Sequence, residues 1–217
     1  MTVTRSSADQ PKIPARRSVR TDGATAQAQL LDAAQELFYR DGIRAIGIDA
    51  VVERAGVNKM SLYRRFASKD ELVTAYLDRM HENYQKRFEA SVAKHPDDPA
   101  AQLLQALDDL VARASAVDYR GCPFLNVACE FRDPAHSARL SVERNKQYLM
   151  RRLTEISTAA GAANPRELAE SFALLVDGIY ATSQTYGPGS GPMLAAPRIA
   201  RMLLDAAIAL KKTQENV

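Results

Sequence analysis

Apolar residues recur along most of the chain with the 3.6-residue period of amphipathic helices, and no useful stretch alternates with the two-residue period of a β-strand. Several prolines after His95 stand just before such periodic stretches, where a proline in the first turn of a helix is well tolerated. The pattern predicts an all-α fold of about nine helices. The predicted helices span residues 25–40, 49–55, 59–66, 69–94, 99–117, 122–131, 134–160, 165–186 and 195–212.

The second and third predicted helices are short and are joined by Ala55-Gly56-Val57. Gly56 can adopt the left-handed conformation that a tight turn between helices requires, and Asn58 is a favourable N-cap for the next helix. The following sequence, Ser68-Lys69-Asp70-Glu71, is typical of a capping box, in which the first and last side chains bond each other's backbone N–H. These signals predict a helix-turn-helix that is followed at once by a long helix.

The third predicted helix has a distinct outward face. With Leu62 as the inward reference, a rotation of about 100° per residue also directs Phe66 inward. The outward positions are Lys59, Met60, Ser61, Tyr63 and Arg64. A short helix that exposes a guanidinium, a phenol, a hydroxyl and a long apolar side chain suits the DNA major groove. An ordinary αα-corner with an amphipathic second helix has the same spacing and is the alternative.

Positive charge is concentrated in the same region. Five basic residues stand against one acid between Glu53 and Lys69, whereas residues 73–217 are balanced and the whole chain has a net charge of +3. The first 24 residues add five basic side chains among Ser, Thr and Pro, which predicts a flexible basic arm. A basic patch at one end of a balanced chain indicates a polyanionic partner, with a solvated helix face as the alternative.

Residues 30–72 resemble the DNA-binding region of the tetracycline-repressor-like (TetR) family of transcriptional regulators. The shared elements are, in order, Ala-Ala-x-x-Leu-Phe-x-x-x-Gly, the Ala-Gly-Val turn, Leu-Tyr-x-x-Phe and Ser-Lys-x-Glu-Leu. The resemblance implies a flexible arm over residues 1–24, a helix-turn-helix DNA-binding domain over 25–70, and a larger helical ligand-binding and dimerisation domain over 71–217. It further implies a homodimeric repressor that binds a palindromic double-stranded DNA operator and is released by a small-molecule effector.

The resemblance also implies roles for single residues in DNA binding. Tyr63 and Lys69 match family positions that reach DNA phosphates. The positions from which family members read bases are occupied by Lys59, Met60, Ser61 and Arg64. Two departures reduce the expected phosphate contacts, since Gly47 replaces a hydroxyl-bearing helix cap and glutamines at positions 27 and 29 stand where many members have basic residues.

The C-terminal part of the chain offers candidates for the ligand and for the dimer. In the family the last two helices form the dimer interface, and here both have a broad apolar face. The candidate ligand-binding residues are Phe124, Asn126, Glu130, Asp177 and Tyr180, although packing and helix capping explain each of them equally well. Because the candidate lining includes aromatic and apolar residues but no lysine, we expect a small, largely apolar effector.

Other chemistries find little support in the sequence. Cys122 and Cys129 would lie about 10 Å apart along one helix, which is too far for an unstrained disulfide. The three histidines are not at ligand spacing to these cysteines, and neither a phosphate loop nor a nucleophile motif occurs. We therefore expect no metal, no cofactor and no enzyme activity.

The expected location is the cytoplasm, because no secretory signal is visible and the apolar runs are far shorter than the roughly 20 residues of a membrane span. Two alternative functions remain open at this point. One is an all-α small-molecule-binding protein or enzyme without sequence-specific DNA binding. The other is an architectural protein that binds nucleic acid without sequence preference, which the balanced charge of the C-terminal two-thirds does not favour.

Overall fold

The computed structural model describes residues 23–215, and this part of the chain is helical throughout. The helices are α1 (Gly23–Asp41), α2 (Ile48–Ala55), α3 (Lys59–Tyr63), α4 (Lys69–Val92), α5 (Pro99–Ala114), α6 (Pro123–Glu130), α7 (Ser137–Ala159), α8 (Pro165–Thr185) and α9 (Ala196–Glu215). No β-strand occurs in residues 23–215, so the all-α prediction is confirmed, and the predicted helix ends agree with the observed ends to within three residues. The predicted basic arm lies almost wholly outside the described residues.

The first three helices pack together around a small apolar core. The chain reverses between α2 and α3 at Gly56, which has φ +66° and ψ +26°. Asn58 caps α3 as predicted, because its Oδ1 accepts a hydrogen bond from the backbone N–H of Ser61 (2.8 Å). The two predicted inward residues, Leu62 and Phe66, are both buried. The helix-turn-helix therefore has the local geometry that the sequence predicts.

Helix α3 is shorter than predicted, since it ends at Tyr63 and not at Phe66. The backbone N–H of Arg65 donates to the Leu62 carbonyl (2.9 Å), a bond that spans three residues and tightens the last turn. By Ser68 the backbone is fully extended, with φ −149° and ψ 170°, because α4 begins at the next residue. Because few residues are left to connect α3 to α4, the chain must leave the helical conformation before Phe66.

The capping box at the start of α4 forms with one difference from the prediction. Ser68 Oγ accepts the backbone N–H of Glu71 (3.2 Å). The Glu71 carboxylate, however, accepts the backbone N–H of Ala67 (2.5 Å) and not that of Ser68, so the side chain reaches one residue further back than expected. The start of α4 is held from both sides.

Helix α4 connects the first three helices to the rest of the protein. Its buried side chains near Leu72 pack against α1, and further along it packs against α5, α6 and α7. Near its end, Glu89 accepts hydrogen bonds from Arg152 (2.7 Å) and from the Tyr148 hydroxyl (2.5 Å), both on α7. The Arg152 guanidinium lowers the pKa of the Glu89 carboxyl. This polar cluster fixes the far end of α4 against α7.

Helices α8 and α9 pack against each other and keep apolar side chains on their outer surfaces. On the inner side Phe172 and Leu204 are buried. On the outer side Leu174 is 74% exposed and Met202 is 60% exposed, and Ile199 of α9 is also exposed. A 3₁₀ helix, Gly191–Ala195, leads into α9, and this 3₁₀ helix was not predicted from the sequence. None of the helices within residues 23–215 is both long and apolar enough to cross a membrane.

The left-handed turn at Gly56 generates a stability prediction. An added Cβ there meets no atom within 4 Å, so the cost of a substitution comes from the backbone conformation alone. We expect Gly56→Ala to lower the free energy of unfolding by about 1–2 kcal/mol, measured by urea unfolding. Gly56→Asn is the matched control and should cost less, because asparagine tolerates this conformation. Equal losses in the two variants would contradict the backbone explanation.

Candidate functional site

The outer face of α3 presents a small set of side chains to solvent. Met60 is 66% exposed, Tyr63 is 49% exposed, and Arg64 is exposed at the C-cap of the helix. The Arg64 guanidinium lies 3.2 Å from the sulfur of Met60, so these two side chains form one continuous surface. Ser61 is half-buried beside them. The structure thus places the four residues on or beside one outward surface.

The two lysines predicted to approach DNA are both engaged within the protein. Lys59 Nζ lies 2.8 Å from the carboxylate of Asp49 on α2, and this carboxylate raises the pKa of the lysine. Lys69 Nζ donates to the backbone carbonyl of Ile43 (2.6 Å), and its partial burial lowers its pKa. The Lys69 side chain therefore lies against the turn that follows α1.

The turn after α1 obtains its hydrogen-bond partners from distant parts of the chain. Gly42 ends α1 with φ +87°. The Glu130 carboxylate, at the end of α6, accepts the backbone N–H groups of Ile43 (3.2 Å) and Arg44 (2.8 Å). In return, the Arg44 side chain donates to the backbone carbonyl of Glu130 (3.1 Å). These bonds tie α6 to the connection between α1 and α2.

A second polar link joins α1 to the segment before α6. The Tyr39 hydroxyl donates to the carbonyl of Gly121 (3.1 Å) and accepts the backbone N–H of Arg120 (3.0 Å). Burial raises the pKa of Tyr39, so its hydroxyl stays protonated and can keep donating. The segment 120–130 is thus bonded to the N-terminal helices at both of its ends.

The same segment forms one wall of a cavity of about 530 Å³, a volume in the range of small-molecule sites. The cavity lies between α1, α4, the end of α5, the start of α6, and α8. Its lining residues are Asp32, Gln35, Glu36, Tyr39, Met80, Tyr84, Arg87, Arg113, Ala116, Tyr119, Gly121, Cys122, Pro123, Phe124 and Tyr180. Cys122 is a free, buried thiol whose pKa is raised by burial, and Cys129 is free and exposed.

The cavity wall holds several hydrogen-bond donors that have no partner. Within residues 23–215, the hydroxyls of Tyr84, Tyr119 and Tyr180 make no hydrogen bond to the protein. Burial raises the pKa of each of these phenols, so all three remain protonated. The guanidinium groups of Arg87 and Arg113 likewise have neither a carboxylate nor another hydrogen-bond partner in the described part of the chain.

The two acidic side chains in the wall have counterions outside it. Asp32 pairs with Arg79 on α4 (2.6 Å), and Glu36 pairs with Arg54 on α2 (2.5 Å). Each of these charges is therefore neutralised locally. The two arginines leave a positive charge at the cavity that no carboxylate of residues 23–215 pairs, with Arg113 half-buried and Arg87 exposed to water.

Of the five residues predicted to bind ligand, the structure places two in the cavity wall. Phe124 and Tyr180 line the cavity, whereas Asn126, Glu130 and Asp177 do not. Asn126 donates to the backbone carbonyl of residue 120, and Asp177 pairs with a lysine of α7. Asn126 and Glu130 lie about 200° and 240° around α6 from Phe124, so a helix that directs Phe124 into the cavity turns them toward α1.

The sequence interpretation missed most of the remaining wall. On α4, Met80, Tyr84 and Arg87 follow one another at intervals of four and three residues, the spacing of a single helix face. The lining residues of α1 follow the same rule over positions 32–39. This periodicity was a usable signal, but polar residues next to an apolar stripe normally face solvent.

A second depression, of about 830 Å³, lies on the outer side of α7. It is broad and shallow, and its walls include the charged side chains of Lys146, Arg151 and Glu155. It adjoins neither α3 nor the segment 120–130, so the cavity beside α1 is the better candidate for a ligand site.

The N-terminal part of the chain matches a known family. Residues 30–76 match the model described as bacterial regulatory proteins, tetR family. The chain is also 27% identical over 172 residues to the HTH-type transcriptional regulator TtgR of Pseudomonas putida, and the match covers 75% of this chain and 82% of TtgR.

Solved structures extend the similarity over most of the chain. The TetR-type protein sav143 of Streptomyces avermitilis is 33% identical, with a TM-score of 0.70, and the match covers 84% of this chain and 97% of that protein. The TetR-family regulator SCO4454 of Streptomyces coelicolor is 26% identical, with a TM-score of 0.76 and coverage of 86% and 90%. The similarity therefore includes the helices that enclose the cavity.

The Glu130 bonds to the turn after α1 generate a prediction for amide hydrogen exchange. Glu130→Gln removes one of two acceptor oxygens and the charge, so we expect exchange at Ile43, Arg44 or both to become about tenfold faster. Glu143→Gln is the control, because the Glu143 carboxylate bonds the Gln147 side chain on the surface of α7 (3.0 Å). Unchanged exchange at both amides in the Glu130 variant would contradict the assigned bonds.

Proposed function

Because the chain belongs to the TetR family of bacterial regulatory proteins, and is thus a DNA-binding transcriptional regulator, we propose that it acts as a ligand-released repressor. In this proposal a homodimer binds a palindromic operator, and a small molecule in the cavity lowers its affinity for DNA. Residues 25–70 read the DNA, and residues 71–217 dimerise and, together with α1, bind the ligand, with α4 crossing the boundary. The observation that supports it best is that the segment 120–130 both walls the cavity and bonds the turn between α1 and α2.

The outward surface of α3 is our candidate for contact with the major groove. Arg64 has the planar donor pair that recognises guanine, and Met60 can contact a thymine methyl group. The Tyr63 hydroxyl suits a phosphate, which positions the protein without reading sequence. Lys69 uses one of its three N–H groups on Ile43, which leaves two for a phosphate near the start of α4.

Dimerisation through α8 and α9 is supported by their exposed apolar side chains. Leu174, Ile199 and Met202 lie on outer surfaces of two helices whose inner sides are already buried in the protein. Several exposed apolar side chains on two adjacent helices are the pattern that a protein interface would cover. Two reading helices about 34–36 Å apart would then meet successive major grooves on one side of the DNA.

The proposed release mechanism follows from the contacts around α1. This helix packs against α2 and α3, and its other side lines the cavity with Gln35, Glu36 and Tyr39. A ligand that displaces the segment 120–130 would move Tyr39 and the turn that Glu130 holds. A tilt of α4, which runs from the helix-turn-helix to the cavity, would be a second route for the same displacement. DNA and ligand would then oppose each other through one coupling free energy, typically about 1–3 kcal/mol.

The proposal is tested by selecting binding sites from genomic DNA with the full-length protein and searching them for an inverted repeat. Affinity for the selected duplex and for a scrambled duplex is then measured at two salt concentrations. Salt-sensitive binding that strongly prefers the selected duplex is expected. Equal affinity for both duplexes would favour an architectural protein, and no binding to either would favour a ligand-binding protein or enzyme without a DNA role.

Substitutions on α3 should separate sequence reading from positioning. Arg64→Ala should cost about 1–3 kcal/mol on the selected duplex and relax the preference at one base pair of each half-site. Tyr63→Phe should instead weaken binding to selected and scrambled duplexes by similar factors. Fluorescence anisotropy with single-base duplex variants measures both effects, with Arg151→Ala on α7 as control. An unchanged base preference in the Arg64 variant would place the reading surface elsewhere.

The dimer interface generates a second prediction. Leu174→Glu combined with Met202→Glu places charge on the proposed apolar interface, so the mass in solution should fall from twice the 23.8 kDa chain mass toward that of one chain. Val117→Glu is the matched control, since Val117 is 88% exposed on the loop after α5 and is not part of α8 or α9. Sedimentation equilibrium measures the mass. A double variant that remained dimeric would contradict this interface.

A further inference from the structure

We infer that the cavity binds a small aromatic carboxylic acid in its anionic form. This inference rests on the proposed function, because it names the chemical class of effector for the same site. It replaces the expectation of a largely apolar ligand, which considered the absence of lysine but not the two arginines of the cavity wall.

The first reason is that donors without a partner outnumber acceptors without a partner in the described part of the wall, where the buried Oε1 of Gln35 is the acceptor left unpaired. Three protonated phenols, on Tyr84, Tyr119 and Tyr180, and two guanidinium groups, on Arg87 and Arg113, lack partners within residues 23–215. A carboxylate is an acceptor only, with about four lone-pair sites on two oxygens, and its planar shape matches a guanidinium. A ligand that brings such a group can satisfy several of these donors at once.

The second reason is the local balance of charge. The acids of the wall, Asp32 and Glu36, each have an arginine counterion that does not line the cavity. A neutral ligand would leave the half-buried Arg113 guanidinium without a carboxylate and the exposed Arg87 guanidinium to water, and a cation would add repulsion. Arg113 also lies in the last turn of α5, where a positive charge favours the helix. The position at the end of α5 favours a positively charged residue, but it gives the N–H groups of Arg113 no hydrogen-bond partner.

The third reason concerns the body of the ligand. Aromatic rings from α4, α6, α8 and the segment after α5 surround the cavity, together with the flexible side chain of Met80. Rings favour offset or edge contacts with other rings beyond simple burial. A volume of about 530 Å³ exceeds what an inorganic anion or acetate can fill. The wall therefore fits a flat aromatic body with one acidic end.

The test compares four probes that share a size but differ in charge or shape. Biphenyl-4-carboxylate is compared with biphenyl-4-carboxamide, with the ammonium form of 4-(aminomethyl)biphenyl, and with the aliphatic acid decanoate. Isothermal titration calorimetry on the full-length protein without DNA measures affinity. We expect the aromatic carboxylate to bind at least about tenfold more tightly than each of the other three.

Variants then assign the preference to the arginines. The Arg113 side chain is half-buried, and Arg113→Gln should reduce carboxylate affinity about tenfold. The double variant with Arg87→Gln should abolish the preference for the carboxylate over the amide. Lys86→Gln is the matched control, because it removes the same charge from the neighbouring position of α4 outside the cavity. Amide affinity should stay unchanged in all three variants, which shows that the cavity remains folded.

Several outcomes overturn the inference. They are equal affinity for carboxylate and amide, equal or tighter binding of decanoate, a preference that survives in the double variant, and no carboxylate binding up to about 1 mM. Each leaves the repressor proposal standing, because operator binding is measured separately. Conversely, tight carboxylate binding that does not change operator affinity would support this inference and contradict ligand-controlled release by that probe.

Discussion

The backbone of the turn after α1 depends on two side chains from distant parts of the chain. Gly42 takes the chain out of the helix, so the N–H groups of the next two residues have no helical acceptor. The Glu130 carboxylate accepts both of them, and Lys69 donates to the Ile43 carbonyl between them. Hydrogen bonds to a charged group contribute about 1.5–3 kcal/mol each, and leaving such groups unpaired is costly. The position of α2 and α3 relative to the cavity wall therefore depends on these contacts.

Helix α1 contacts both the helix-turn-helix and the cavity. One side of it packs against the helix-turn-helix, and the other side lines the cavity. Tyr39 adds a polar contact to the segment before α6, so α1 is held through its last turn as well as through the turn that follows it. Close-packed elements of this kind move as units and do not deform gradually. In the proposed mechanism, a ligand in the cavity would therefore shift α1 or the segment 120–130 as a unit.

The sequence predicted what depends on neighbours along the chain and missed what depends on packing between distant helices. Helix positions, the Asn58 cap and the inward placement of Leu62 follow from periodicity and from contacts three or four residues apart. Glu130 was expected in the ligand site, yet its partners lie 86 and 87 residues away. The half-buried Arg113 was missed because a charged residue near the end of a helix normally faces water. Only the assembled helices determine which polar residues face a cavity.

The length of α3 limits how much sequence information one chain can extract from DNA. Five residues form less than one and a half turns. Met60, Tyr63 and Arg64 are exposed, and the exposed Lys59 is paired with Asp49. Even three specified base pairs recur by chance about once in every 64 positions. A site that occurs once in several million positions requires roughly eleven specified base pairs. One reading helix of this size therefore cannot specify enough base pairs to define a unique site in a genome. In the proposed homodimer, a second copy of the helix and the sequence-dependent stiffness of the DNA between the two copies would supply the missing information.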